Sequence, residues 1–159
     1  MGELTIGELT VRDIMQGDVI TVRPDATVRE LAAILAKHRI SGVPVVDDTG
    51  EVLGMVSESD VILQDAEFHF PYYIQFLESV IYLQSFAKFE ERFRKTFGTK
   101  VREVMSDKPV EISPDASVHD AATKMADYRV DRLPVVEGGQ LVGIVTRGDI
   151  VRAIAESKA

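Results

Sequence analysis

Apolar positions along this chain fall into two periods that alternate, and the alternation occurs twice. Val28, Leu31, Ala32 and Leu35 stand at i, i+3, i+4 and i+7, the spacing of one buried helix face. Thr27 and Glu30 precede that face as a capping box. Val118, Ala121, Ala122 and Met125 repeat the helical spacing behind Ser117 and Asp120. Short β-branched or apolar runs flank the helices. Val19-Ile-Thr-Val22 reads as a strand, and Val43–Val46 and Val52–Val56 read as a hairpin. Asp47-Asp-Thr-Gly50 joins the two hairpin strands, and Glu137-Gly-Gly139 does so in the second copy, both rich in residues that tolerate turn conformations. A second helix follows Ser57 or Thr146. Each unit is therefore β-α-β-β-α, with an antiparallel hairpin and both helices on one sheet face.

The two units are copies. Val11-Arg-Asp-Ile-Met15 returns as Val101-Arg-Glu-Val-Met105, and Pro24-Asp-Ala-Thr-Val28 as Pro114-Asp-Ala-Ser-Val118. Val43-Pro-Val-Val46 returns as Leu133-Pro-Val-Val136, and Gly54-Met-Val-Ser-Glu-Ser-Asp60 as Gly143-Ile-Val-Thr-Arg-Gly-Asp149. A unit of about 50 residues is marginal alone, so two copies packed through their sheets would share a core. The expected class is α/β (α+β), with a first repeat in residues 1–62, an insert in 63–98 and a second repeat in 99–159.

The insert has a different texture. All 7 phenylalanines and three of the 4 tyrosines lie between Phe68 and Phe97. Ile74, Leu77 and Ile81 mark one helical face, and Phe89, Phe93 and Phe97 another. Glu90–Arg94 and Glu91–Lys95 form favourable i,i+4 pairs, and Gly98 suits a helix C′ position. Two helices broken near Gln84-Ser85 are expected. Their apolar face could pack on its own module, bury itself between subunits, or meet a membrane or partner transiently. So dense a face left exposed would be uncommon on a monomer.

Composition narrows the chemistry. A net charge of -8 argues against nucleic acid as the main partner. The chain has no cysteine, which excludes disulfides, thiolate metal sites and a cysteine nucleophile. His38, His69 and His119 are scattered without metal-ligand spacing. No basic and apolar leader opens the chain, and no run approaches the roughly 18 apolar residues of a membrane span. The cytoplasm is the default expectation. No nucleophile–base pair or metal set points to an enzyme.

The order strand, helix, Ile-Ser-Gly-Val-Pro-Val-Val, turn, Gly-x-Val-(Ser/Thr)-x-x-Asp resembles the cystathionine β-synthase (CBS) domain pair, over residues 11–62 and 101–154. The resemblance implies pseudo-twofold-related clefts that often hold AMP, ADP, ATP or S-adenosylmethionine. It also implies frequent homodimers and a regulatory role toward another protein, sensing energy or metabolite state, with no catalytic cofactor. The alternative is a structural homodimerisation module whose clefts no longer bind.

Carried over position by position, the resemblance places Thr146, Arg147, Gly148, Asp149, Asp131 and Arg132 in a primary cleft, with Ile20, Ile40 and Ser41 around the base. A weaker cleft would hold Ser57, Glu58, Asp60, Ser41 and Gly42, with Val110 and Val130. An adenosine ligand presents a diol that a carboxylate at a helix start can bind, and a phosphate suits free N–H groups there. The pattern (Ser/Thr)-x-x-Asp is also an ordinary helix cap. Arg132 and Arg147 favour phosphate in the first cleft, whereas the second has Gly42 and Glu58 at those places. Arg39 and Arg129 end the first helices, where a cation complements the helix C-terminus or meets a phosphate from a partner subunit. Met15 and Met105 read as core fillers that, in the family, lie near the base.

Overall fold

A computed structural model describes residues 4–66 and 99–157. The expected insert helices, with the Phe89, Phe93 and Phe97 face, lie outside the described residues. The chain adopts the expected mixed α/β class with two small antiparallel sheets. In chain order a 3-10 turn, Ile6–Glu8, leads into α1 (Val11–Ile14), α2 (Val28–His38), β1 (Gly42–Val46), β2 (Val52–Ser57) and α3 (Glu58–Ala66). After the insert come α4 (Val101–Val104), α5 (Val118–Tyr128), β3 (Arg132–Glu137), β4 (Gln140–Thr146) and α6 (Arg147–Glu156).

The capping boxes form as the sequence suggests. Glu30 N–H donates to the Thr27 hydroxyl at 3.1 Å, and Thr27 N–H donates to the Glu30 carboxylate at 2.9 Å. Ser117 and Asp120 repeat the exchange at 3.0 and 3.2 Å. Val28, Leu31 and Leu35 of α2, and Val118, Ala121 and Met125 of α5, are buried. Both helices close on an arginine in the left-handed region, Arg39 at φ 53° and Arg129 at φ 54°. A side chain there costs on the order of 1 kcal/mol. The turn is held by Ile40 N–H to Leu35 O (3.1 Å) and Val130 N–H to Met125 O (3.0 Å).

The hairpins form, but the first strand of each repeat does not lengthen into a ladder. Val22 makes one parallel bridge to Val45, and Ile112 one to Val135. Pro24 and Pro114 follow two residues on and have no N–H to donate. Each expected strand is thus an extended segment held at a single point.

Two short helices reveal an exchange between repeats. The segment around α1, Leu9 to Gln16, is hydrogen-bonded to the second repeat. Val11 N–H donates to Ala116 O (2.8 Å), Arg12 N–H to Pro114 O (2.9 Å), and Val118 N–H to Leu9 O (3.1 Å). In the reverse sense Val101 N–H donates to Ala26 O (2.8 Å), Arg102 N–H to Pro24 O (3.0 Å), and Val28 N–H to Thr99 O (2.8 Å). Arg12 reinforces the first exchange through ion pairs to Glu137 (2.6 Å) and Asp115 (3.4 Å). These are exposed pairs, which individually contribute little.

The compact units follow this exchange. Unit 1 comprises Met1–Thr21, Val46–Gly54 and Asp107–Ala159, and unit 2 comprises Val22–Val45 and Met55–Ser106. The core of unit 1 joins Val11 of the first repeat to Ile112, Val118, Ala121, Met125, Leu133, Val135, Val145 and Ile150 of the second. Val11 is wholly buried there, so burying it alone is worth about 1.5–3 kcal/mol.

Candidate functional site

The candidate site of unit 1 is assembled where β4 turns into α6. β3 and β4 run antiparallel with Arg132 opposite Thr146, which brings the start of one strand beside the end of the other. Arg147 N–H then donates to Asp131 O at 2.9 Å. Asp131, Arg132, Thr146, Arg147, Gly148 and Asp149 are gathered by those two links. Asp131, Arg147 and Gly148 are exposed, whereas the Arg132 side chain is only 13% exposed and pairs with Asp131 at 3.3 Å.

Asp149 is the buried polar residue of the described core, with its side chain 2% exposed. Its Oδ2 accepts from Thr146 N–H at 2.8 Å and from the Thr146 hydroxyl at 3.0 Å. The Thr146 hydroxyl in turn accepts from Asp149 N–H at 3.2 Å. The cap and the proposed ligand constellation are therefore the same atoms. Gln16 Nε2 reaches Asp149 Oδ1 and Oδ2 at 3.2 and 3.3 Å, and Arg152 Nη1 reaches Oδ1 at 3.4 Å. Burying a carboxylate is costly unless it is hydrogen-bonded, and these donors supply the bonds. Among the described residues it leaves no buried side-chain nitrogen or oxygen without a partner.

Ile20 belongs to unit 1 and is half-buried, whereas Ile40 and Ser41 belong to unit 2. In unit 2, Ser57 and Asp60 form a parallel but sparser arrangement. Ser57 N–H donates to Asp60 Oδ2 at 2.8 Å and the Ser57 hydroxyl at 3.3 Å. Glu58 N–H donates to Ser41 O at 2.9 Å, the counterpart of Arg147 to Asp131. Asp60 is half-buried, Gly42 is buried and Glu58 is exposed. Val110 and Val130 stand in unit 1, partly buried against its core.

Gln16 and Arg152 also reach Asp149, and the repeat pattern does not single them out. Arg152 lies three residues past Asp149, one helical turn on. Gln16 follows Met15 as Ser106 follows Met105, so the departure from the repeat was readable. Its proximity to Asp149 depends on the exchange of α1, which no local pattern announces. Among the described residues no group of three or more His, Cys, Asp or Glu side chains could hold a metal ion. None of the described helices is long and apolar enough to cross a membrane.

The CBS domain model matches residues 11–67 and 101–156. A protein of Methanocaldococcus jannaschii is 32% identical over 92% of this chain and 91% of its own length. Among solved structures, the crystal structure of CBSX2 in complex with AMP has a TM-score of 0.70 and 29% identity, covering 92% of this chain and 96% of that one; CBSX2 is a protein of Arabidopsis thaliana. The CBS domain pair of protein MJ0100, in complex with 5'-methylthioadenosine and S-adenosyl-L-methionine, has a TM-score of 0.66 and 26% identity, covering 91% and 98%.

Proposed function

Since this chain belongs to the CBS domain family, we propose that it is a regulatory module that binds an adenosine-containing ligand: AMP, ADP, ATP or S-adenosylmethionine. The observation that carries the reading is the Asp149 carboxylate, buried at the start of α6 and gripped by Thr146, with Arg132 and Arg147 close by. A vicinal diol donates well to a carboxylate so placed. A phosphate is met by the first N–H groups of α6 and by the two guanidiniums, which bind anions through charge-assisted hydrogen bonds. The solved complexes of CBSX2 with AMP and of MJ0100 with two adenosyl compounds support the choice of ligand class.

The Asp60 site is the weaker of the two. Glu58 stands where Arg147 does, and Gly42 where Arg132 does, so an anionic ligand meets a carboxylate in place of two cations. No turnover accompanies binding, and the output is a change presented to a regulated partner protein in the cytoplasm. Calorimetric titration with AMP, ADP, ATP, S-adenosylmethionine and adenosine tests this. Saturable binding of at least one phosphorylated or sulfonium compound is expected, and no heat from any of them contradicts the proposal.

A structural homodimerisation role is the second reading. Tyr128 on α5 and Val151 and Ile154 on α6 are 61%, 60% and 57% exposed, and self-association would cover such apolar side chains.

A further inference from the structure

We infer that Gln16 sets the ligand affinity of the Asp149 site by competing for its carboxylate, an inference that rests on the function just proposed. A carboxylate has about four lone-pair positions. Asp149 receives short bonds from Thr146, at 2.8 and 3.0 Å, and longer ones from Gln16 and Arg152, at 3.2 to 3.4 Å. Its side chain is 2% exposed, so a diol that donates to it must displace a donor already there. The Thr146 bonds belong to the helix cap and are the shortest. Arg152 is a charged donor on the same helix as Asp149, so the neutral, forked contact from Gln16 is the one to yield.

The backbone of Gln16 does not move with its side chain. Gln16 N–H donates to Ile144 O at 2.9 Å and Ile144 N–H to Gln16 O at 3.0 Å, an antiparallel bridge onto β4. The amide therefore swings from a fixed anchor, and the exchanged N-terminal segment supplies part of the second repeat's site. The other repeat provides an internal contrast. Ser106 occupies the equivalent place and is bridged in the same way to Met55, at 2.9 and 3.3 Å. Asp60 takes its hydrogen bonds from Ser57 alone among the described residues. A serine hydroxyl is two carbons shorter than a glutamine amide, and it forms no bond to Asp60. The two carboxylates thus differ in a competing donor as well as in their neighbouring arginines.

The experiment titrates AMP into the full chain and into Gln16→Ser, which installs the residue of the other repeat, and Gln16→Met, which keeps the length and removes the donor. Both variants are expected to bind AMP about three- to tenfold more tightly, because the ribose hydroxyls replace the lost donors rather than displacing them. Without nucleotide, both should melt at lower temperature, since a buried carboxylate loses a partner. In amide spectra of the unsubstituted chain, the Gln16 side-chain signal should shift on adding AMP. Unchanged or weaker AMP binding in Gln16→Ser and Gln16→Met, beside measurable binding by the unsubstituted chain, would overturn the role of Gln16 and leave the proposed function intact. Absence of AMP binding in all three, with the lower melting still seen, would place the failure in the proposed function and end the affinity role with it.

Discussion

The sulfur of Met15 lies where a side chain at Gly143 would have to go: a Cβ there would sit 2.6 Å from Met15 Sδ and 3.0 Å from Gln16 O. Gly143 is thus required by a close approach, since the exchanged segment runs against β4 at this point. It is the second copy of Gly54 in Gly-x-Val-(Ser/Thr)-x-x-Asp. Gly143→Ala should destabilise the protein by about 1–3 kcal/mol, the usual cost of overpacking. Part of the clash can be relieved by the flexible methionine, but Gln16 O is backbone. Thermal unfolding beside Gly7→Ala, where the nearest atom to an added Cβ is 3.9 Å away, checks this. Equal melting temperatures would show that the approach is looser than described.

Arg132 should matter for the phosphate and not for the nucleoside. Arg132→Ala is expected to weaken AMP several-fold to tenfold while leaving adenosine nearly unchanged, because only AMP offers an anion for a charge-assisted bond. Paired titrations decide it. Equal losses for AMP and adenosine would assign Arg132 a structural role through its pair with Asp131.

The capping carboxylates make stability depend on acid. The Thr10 backbone N–H, and then its hydroxyl, hold Asp13 below its ordinary value. The Ser117 side chain, and then its backbone N–H, do the same for Asp120. A carboxylate depressed in the folded state contributes stability that is fully present above its ordinary value of about 3.9 and is lost as pH falls through the lower folded value. Both groups lie at the surface, so the effect is small and salt-sensitive. Asp13→Asn with Asp120→Asn should flatten the fall in melting temperature below about pH 4. An unaltered slope would show that these caps do not contribute to it.

Self-association should reside in part on α5 and α6. Val151→Glu with Ile154→Glu removes exposed apolar surface without touching the core. Sedimentation is expected to show a homodimer for the unsubstituted chain and a larger monomer fraction for the variant. An unchanged dimer would move the interface elsewhere.

Much of the fold was legible because its signals are local. Thr27-x-x-Glu30 and Ser117-x-x-Asp120 announce caps that form as read, and the positions spaced as Val28, Leu31 and Leu35 are those that become buried. The hairpin turn is equally local, with Gly138 and Gly139 at φ 59° and 77°. Val19–Val22 reads as a strand but makes only the Val22–Val45 bridge, because β-branched residues report a preference for extended backbone and not the presence of a partner. What the sequence did not disclose is where α1 and α4 pack. Val11 and Val101 look alike in isolation, and only the three-dimensional exchange puts Val11 into the second repeat's core and Gln16 onto Asp149. The pairing of Thr146 with Asp149 is readable from the repeat both as a helix cap and as a candidate ligand group, and the hydrogen bonds show the cap.

The most direct measurement compares AMP affinity in Asp149→Asn and Asp60→Asn by titration calorimetry on the full chain. Losing a charged acceptor for the ribose hydroxyls costs on the order of 1.5–3 kcal/mol, about tenfold to a hundredfold in affinity. That loss is expected for Asp149→Asn and a much smaller one for Asp60→Asn, with both variants still folded by circular dichroism. Equal losses in the two, or unchanged AMP affinity in a folded Asp149→Asn, would contradict that expectation.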